Sequence, residues 1–179
     1  MKLKLSSKPI RSKKMHGINN VEYLCLDKLQ GVKNVLSDLD TEGFPQLKHL
    51  YVQDNPDLLC IVDLMAKAPC DAFPLFESLT LHNLINLERI CIDRLEVESF
   101  NELKTIKVES CDELSNIFLL STTKCLPRLT RIAVINCKKM EQIFAIGGAV
   151  DVVTERDICS DKLFESGKSS TAYKLLPRS

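Results

Sequence analysis

The chain of 179 residues is long enough for one ordinary domain, and its 45% content of hydrophobic residues supports a packed core. Lysine plus arginine and aspartate plus glutamate number 24 each, so the formal net charge is zero. No overall field therefore favours nucleic acid or an anionic membrane surface, and we expect neither among the partners.

The first 17 residues combine a short apolar alternation with a basic stretch. Leu3 and Leu5 alternate with lysines, which predicts the strand of a degenerate repeat followed by a basic loop. No apolar run here could serve as a signal peptide, and no later stretch approaches the length of a membrane span. We therefore expect a cytoplasmic protein whose eight cysteines are reduced thiols.

From residue 18 to residue 146 one pattern of apolar residues recurs five times, at offsets 0, 3, 5, 8, 11 and 14 from the start of each copy. The copies are 26, 29, 27 and 26 residues apart and start at Val21, Leu47, Phe76, Leu103 and Leu129. Apolar residues, counting cysteine, fill all these positions except the one that holds Asn55. A period of about 20 to 29 residues with this pattern is typical of leucine-rich repeats.

The offsets predict the local structure of each copy. Offsets 3 and 5 place two side chains on one face of a short strand, because the side-chain period of a strand is two. The 3-residue spacing after offset 8 suits 3₁₀ or irregular turns. One repeat cannot bury its own apolar face, so neighbours must stack and pair their strands. The sequence therefore predicts an α/β repeat solenoid: a leucine-rich-repeat horseshoe with a short parallel sheet on its concave face and an irregular, 3₁₀ or short helical convex side.

Beyond Phe144 the pattern stops, and residues 147–179 form a charged, serine-rich segment that we expect to be a flexible tail with a short helix near residues 155–165. Its residues 166–169 (SGKS) imitate the end of a phosphate-binding loop, but Lys162 stands where that motif needs a glycine. Solenoids normally close their ends with polar capping repeats, and neither end resembles one. We therefore expect a fragment of a longer protein or a truncated gene product.

Residues between and beside the inward pairs should point out of the concave face. The candidate binding residues there are Tyr51, Gln53, Thr80, His82, Lys107, Glu109 and Arg131. Tyr51 and Arg131 are the preferred anchors, because aromatic and arginine side chains dominate the energetics of many protein interfaces. This polar and aromatic mixture suits a protein surface better than a small-molecule pocket. The alternative is that the face is merely solvated.

Residue spacing gives no support to catalytic or metal chemistry. The three histidines share no metal-ligand spacing, and no Cys-x-x-Cys motif occurs. Cys111 and Cys137 occupy equivalent positions in adjacent repeats, which favours a structural use for both. We therefore expect no catalytic residue, no metal and no cofactor, and we do not expect an enzyme.

Four stretches, residues 44–63, 72–91, 98–118 and 126–144, share F-P-x-L starts or C-x-x-L/M-x-x-I-F ends. In these features the chain resembles the leucine-rich-repeat region of plant coiled-coil, nucleotide-binding, leucine-rich-repeat disease resistance proteins. The resemblance implies a protein-binding module that recognises pathogen effectors or modified host proteins. It also implies contact with a nucleotide-binding domain of the same receptor, although this chain carries no such module or coiled coil.

Two other functions remain open at this stage. Cytosolic repeats also serve as the substrate-recognition domain of ubiquitin ligase adaptors, but no F-box-like helical segment precedes the repeats here. The unrecognised ends keep open a truncated remnant without independent activity.

Overall fold

The computed structural model describes residues 1–6, 18–39, 43–63, 72–92, 100–119, 126–145, 160–163 and 170–175. In these residues the chain coils into a solenoid whose turns follow the sequence repeat. In chain order the elements are β1 (Lys2–Ser6), a 3₁₀ turn (Ile18–Asn20), β2 (Tyr23–Asp27), α1 (Val35–Leu39), β3 (His49–Gln53), β4 (Cys60–Asp63), β5 (Ser78–His82), β6 (Arg89–Ile92), β7 (Thr105–Glu109), β8 (Asn116–Leu119), β9 (Arg131–Ile135), β10 (Gln142–Ala145), β11 (Ser160–Leu163) and β12 (Ser170–Leu175).

The concave sheet pairs β1, β2, β3, β5, β7 and β9 in parallel, in that order. Residues at offset 5 lie opposite one another, so that Val52, Leu81 and Val108 form one row across three strands. All three are fully buried, at 0% exposure. The predicted parallel sheet and repeat solenoid are thereby confirmed, and β1 adds the strand that the alternation of Leu3 and Leu5 predicts.

Each repeat strand ends in the same tight turn. The residue after the strand has a positive φ of 51 to 54° in every copy, at Lys28, Asp54, Asn83, Ser110 and Asn136. Asn and Asp tolerate this left-handed conformation better than most residues, which accounts for three of the five. In the second to fifth copies the backbone N–H at offset 11 donates to the carbonyl at offset 8, as from Leu87 to Leu84 at 3.2 Å. The 3-residue spacing in the sequence is thus a hydrogen-bonded turn.

The side chain at offset 8 serves this turn. Asn55, the polar exception in the repeat, is 2% exposed, accepts a hydrogen bond from the Leu29 N–H and donates one to the Leu26 carbonyl at 3.2 Å. In the fourth copy Cys111 is fully buried, and its Sγ donates to the Glu109 carbonyl at 3.5 Å. Both side chains satisfy backbone groups that the turn takes out of the sheet.

A column that the repeat pattern omitted lies three residues before each copy. Its members are all buried, and they are Ile18, Phe44, Phe73, Phe100 and Leu126. The Phe73 ring stacks on Phe44 and Phe100 with centroid separations of 5.5 and 5.6 Å. Each carbonyl in this column accepts a hydrogen bond from the first residue of its copy, as in Leu103 to Phe100 at 3.0 Å. The turn before each strand is therefore as regular as the turn after it.

The convex side contains short strands as well as helix. In the first copy Asn34 Oδ1 accepts hydrogen bonds from the backbone N–H groups of Leu36 and Ser37, at 2.9 and 3.1 Å, and so caps α1. Later copies form the parallel pairs β4–β6 and β8–β10 instead. Their sequences (CIVD, RICI, NIFL, QIFA) are rich in β-branched and aromatic residues, which favour strands over the 3₁₀ turns expected here.

The tail contains two strands, and β11 lies where the sequence pattern predicted part of a short helix; that prediction is wrong for Ser160–Leu163, because pairing with β12 satisfies the backbone there. β11 and β12 form an antiparallel hairpin, and β12 pairs antiparallel with β9 at the edge of the concave sheet. The flexibility of the tail and the domain boundaries at residues 17 and 146 stay predictions. The phosphate-loop imitation at residues 166–169 and most of the basic loop lie outside the described residues.

We expect Leu81→Asp to lower the free energy of unfolding by about 4 kcal/mol or more, because it buries an unpaired carboxylate in a core shared with both neighbouring repeats. The matched control is Thr80→Asp, one residue away, where the side chain lies on the concave surface and the expected loss is below about 1 kcal/mol. Urea unfolding of both variants measures the difference. Equal losses would place Leu81 outside the core.

Candidate protein-binding face

Three columns of side chains line the concave face, because the parallel register aligns equivalent residues across the strands. The first column holds Lys2, Tyr23, His49, Ser78, Thr105 and Arg131. The middle column holds Lys4, Cys25, Tyr51, Thr80, Lys107 and Ala133. The third column holds Ser6, Asp27, Gln53, His82, Glu109 and Ile135.

The register brings the predicted binding residues together in two groups. The middle column contains Tyr51, Thr80 and Lys107 on successive strands, and the third column contains Gln53, His82 and Glu109 beside them. Arg131 lies apart from both groups, at the far end of the first column, and is exposed. The geometry of a continuous surface is present, whereas partner binding by these residues stays a prediction.

Asp27 is the centre of a polar network at the start of the third column. Its carboxylate accepts a hydrogen bond from Gln53 Nε2 at 2.9 Å and lies 2.9 Å from Lys4 Nζ. The hydrogen bonds from Gln53 and Lys4 hold the pKa of Asp27 below its ordinary value. The contact joins three adjacent strands, so Gln53 is occupied by a neighbouring repeat as well as facing solvent.

Lys107 and Glu109 form an ion pair on β7, with Nζ and Oε2 2.7 Å apart. The hydrogen bond from Lys107 lowers the pKa of Glu109. Both side chains are substantially exposed, and ion pairs of this kind are worth only about 0 to 1 kcal/mol. A protein partner can therefore take over either charge at little cost to the fold.

Tyr51 and His82 are two of the half-buried members of the face. Burial raises the pKa of the Tyr51 hydroxyl, so the group is a neutral donor at physiological pH. The Nδ1 atom of His82 is shielded from solvent and makes no hydrogen bond with the part of the chain that the structure describes. A buried nitrogen without a partner is a local cost that a ligand contacting this ring could relieve.

An open cleft of about 490 Å³, which the sequence analysis did not predict, lies at the start of the first column. Its lining residues are Met1, Lys2, Glu22, Tyr23, His49 and Ser78. They come from three repeats and the preceding strand, and β1 joins them only through sheet pairing. The available signal was the position directly before each inward pair, where an aromatic residue and a histidine stand in successive copies.

The described residues contain neither a metal-binding group nor a membrane-spanning helix. Among residues 1–6, 18–39 and the later described ranges, no group of three or more His, Cys, Asp and Glu side chains could hold a metal ion. No helix in the same residues is long and apolar enough to cross a membrane.

Comparison with known proteins places these repeats among plant proteins. Residues 75–164, half of the chain, match a family described as plant disease resistance protein RPS2-like, leucine-rich repeats. A probable disease resistance protein of Arabidopsis thaliana is 29% identical over 157 residues, which cover 82% of this chain. The chain spans 16% of the length of that relative. No solved structure matches this chain.

We expect acid to weaken the contact between the first strands through Asp27. Because the pKa of this carboxyl is lowered in the folded protein, its contacts stabilise the fold above about pH 4 and are lost as the pH falls through the folded pKa. Asp27→Asn should therefore lower the melting temperature by about 2 to 4 °C at pH 6 and by much less at pH 2.5. Thermal unfolding at both pH values tests this, and an equal difference at the two would contradict it.

Proposed function

The chain belongs to the RPS2-like leucine-rich-repeat family of plant disease resistance proteins, and from this premise we propose that it is the protein-binding module of a plant intracellular immune receptor acting in the cytoplasm. The partner is a pathogen effector or a host protein that such an effector modifies. Binding takes place on the concave face, through the middle and third columns.

One observation carries the proposal: the outward side of a tightly packed sheet presents charged, polar and aromatic side chains together. The inward residues of the five repeat strands are 7% exposed or less, while their outward neighbours alternate with them along each strand. The backbone of such a sheet is already ordered by strand pairing, so a partner need not order it on binding, which reduces the entropic cost of association. A protein partner can contact several strands at once.

Within this face Tyr51 and Arg131 are the proposed anchors, and Lys107 on β7 adds a charged contact near the centre. Tyr51 presents a large, partly buried ring with a hydroxyl donor, the kind of group that dominates protein interfaces. Lys107 can exchange its contact with Glu109 for an acidic group on a partner. Thr80 lies between them on β5 and completes a continuous contact row.

We further propose that the module contacts the nucleotide-binding domain of a longer receptor and has no catalytic role. The Arabidopsis relative, of which this chain spans 16%, leaves room for such a domain. Burial raises the pKa of Cys111 to about 12, so the reactive thiolate is absent at neutral pH, which argues against thiol catalysis by this residue.

We expect Tyr51→Ala and Lys107→Glu to weaken partner binding about ten-fold each without a comparable loss of stability, because both side chains lie on the outward face. Cys111→Ser should instead lower the free energy of unfolding by about 1 to 2 kcal/mol, since it puts a more polar group in a fully buried site. Pull-down against a panel of purified effectors and host target proteins measures binding, and thermal melting of the same variants measures stability.

The proposal requires that Tyr51→Ala and Lys107→Glu lose binding but not stability, and that Cys111→Ser loses stability. Lys33→Glu, a charge reversal at an exposed position outside the concave strands, is the control for a general charge effect. A melting loss for Tyr51→Ala as large as that of Leu81→Asp would show that the inward and outward faces are reversed. Unchanged capture of every partner by both surface variants would exclude the middle column as the binding site.

A further inference from the structure

We propose that the cleft at the start of the first column is a subsite for an acidic segment of the bound protein, in which a carboxylate lies beside an aromatic side chain. This rests on the proposed function of the concave face as a protein-binding surface. It adds a second region of contact, on β1, β2, β3 and β5, to the contacts proposed above.

The cleft contains a continuous row of side chains across four adjacent strands. Lys2 Nζ lies 5.5 Å from the centroid of the Tyr23 ring, and the Tyr23 and His49 rings lie 6.2 Å apart at an interplanar angle of 47°. His49 Nδ1 is 2.7 Å from Ser78 Oγ. Neighbouring strands are about 4.8 Å apart, so the row extends roughly 14 Å, the length of a few residues of extended peptide.

The charges around the row leave a positive excess. The Glu22 carboxylate is 3.3 Å from Lys48 Nζ, so its negative charge is compensated without Lys2. Lys2 makes its described contact with an aromatic ring, which leaves its full positive charge at the surface. The next carboxylate along this side, Glu77, is paired with Lys104 at 3.0 Å.

This combination selects the class of ligand. A cationic group beside an aromatic wall is complementary to a carboxylate followed by a flat ring, which can stack on Tyr23 and His49. His49 Nε2 is the remaining ring nitrogen, because Nδ1 is engaged by Ser78. Nucleic acid fits less well, since the lysines of the middle column are paired with Asp27 and Glu109 and give the adjoining face no positive excess for a phosphate backbone.

The volume and shape of the cleft agree with a protruding peptide segment. About 490 Å³ is within the range of sites that hold a ligand of a few side chains. The cleft is partly open to solvent, so a segment of a docked protein can reach its lining residues. Charge complementarity of this exposed kind should weaken steeply with salt.

The test uses the full chain and a labelled probe peptide of alternating glutamate and tyrosine, with a lysine–tyrosine peptide of equal length as the probe control. Fluorescence anisotropy should show binding of the acidic peptide, weakened several-fold on raising the salt from about 0.05 to 0.3 M. Lys2→Glu should reduce its affinity roughly three- to ten-fold, and Tyr23→Ala or His49→Ala by a similar factor. Lys33→Glu, the matched charge reversal outside the cleft, should leave it unchanged.

Tyr23→Phe keeps the ring and guards against a folding defect in Tyr23→Ala, and it should bind the acidic peptide within two-fold of the parent chain. Circular dichroism of each variant checks the fold. No binding at millimolar peptide, equal binding of the lysine–tyrosine peptide, or an unaltered affinity in Lys2→Glu would each overturn the subsite.

Measurement of the protein partner separates this inference from the proposed function. If Tyr51→Ala weakens the partner while Lys2→Glu and Tyr23→Ala do not, the subsite is wrong and the concave binding function stands. If none of the three variants affects any partner, the proposed function fails. Weakening by both sets of variants, with acidic-peptide binding lost only in the cleft variants, supports the subsite.

Discussion

The parallel register of the concave sheet is the constraint on which the rest of this structure depends. A single repeat buries too little apolar surface to offset the entropy lost when it is ordered, so each strand needs neighbours on both sides. Leu81 lies between Val52 and Val108, and all three are fully buried. The pairing register that aligns this buried row also aligns the residues that alternate with it along each strand. The same register therefore produces both the core and the columns of the concave face.

That register depends on two turns in each repeat, one before the strand and one after it. Both turns recur in every copy, and their backbone groups are hydrogen-bonded. After the strand, the N–H of Asn83 donates to the Glu109 carbonyl at 2.9 Å, and the N–H of Ser110 donates to Ile135 at 2.9 Å, which carries the hydrogen-bond ladder into the turn. Buried side chains such as Asn55 serve groups that the ladder does not reach. The polar side chain of Asn55 lies in the core because it satisfies backbone hydrogen-bonding groups there.

The concave face divides into two chemical regions. In the third column the carboxylates of Asp27 and Glu109 are each matched by a lysine of the middle column. In the first column Lys2 and the rings of Tyr23 and His49 form an aromatic and cationic row instead. A partner that contacts both regions must present complementary groups in two places, which is a physical basis for specificity.

The sequence alone determined the repeat, its strands and the sides they present, because offsets 3 and 5 reflect the two-residue period of a strand and each copy repeats them. It also placed Tyr51 and Lys107 correctly in one exposed column. It did not reveal that Tyr23 and His49 line a cleft with Lys2, nor that β12 pairs with β9, because those residues meet only through pairing between strands distant in the chain. The convex strands were likewise decided by the stacking of neighbouring copies, since short apolar segments carry no period long enough to distinguish a strand from a turn.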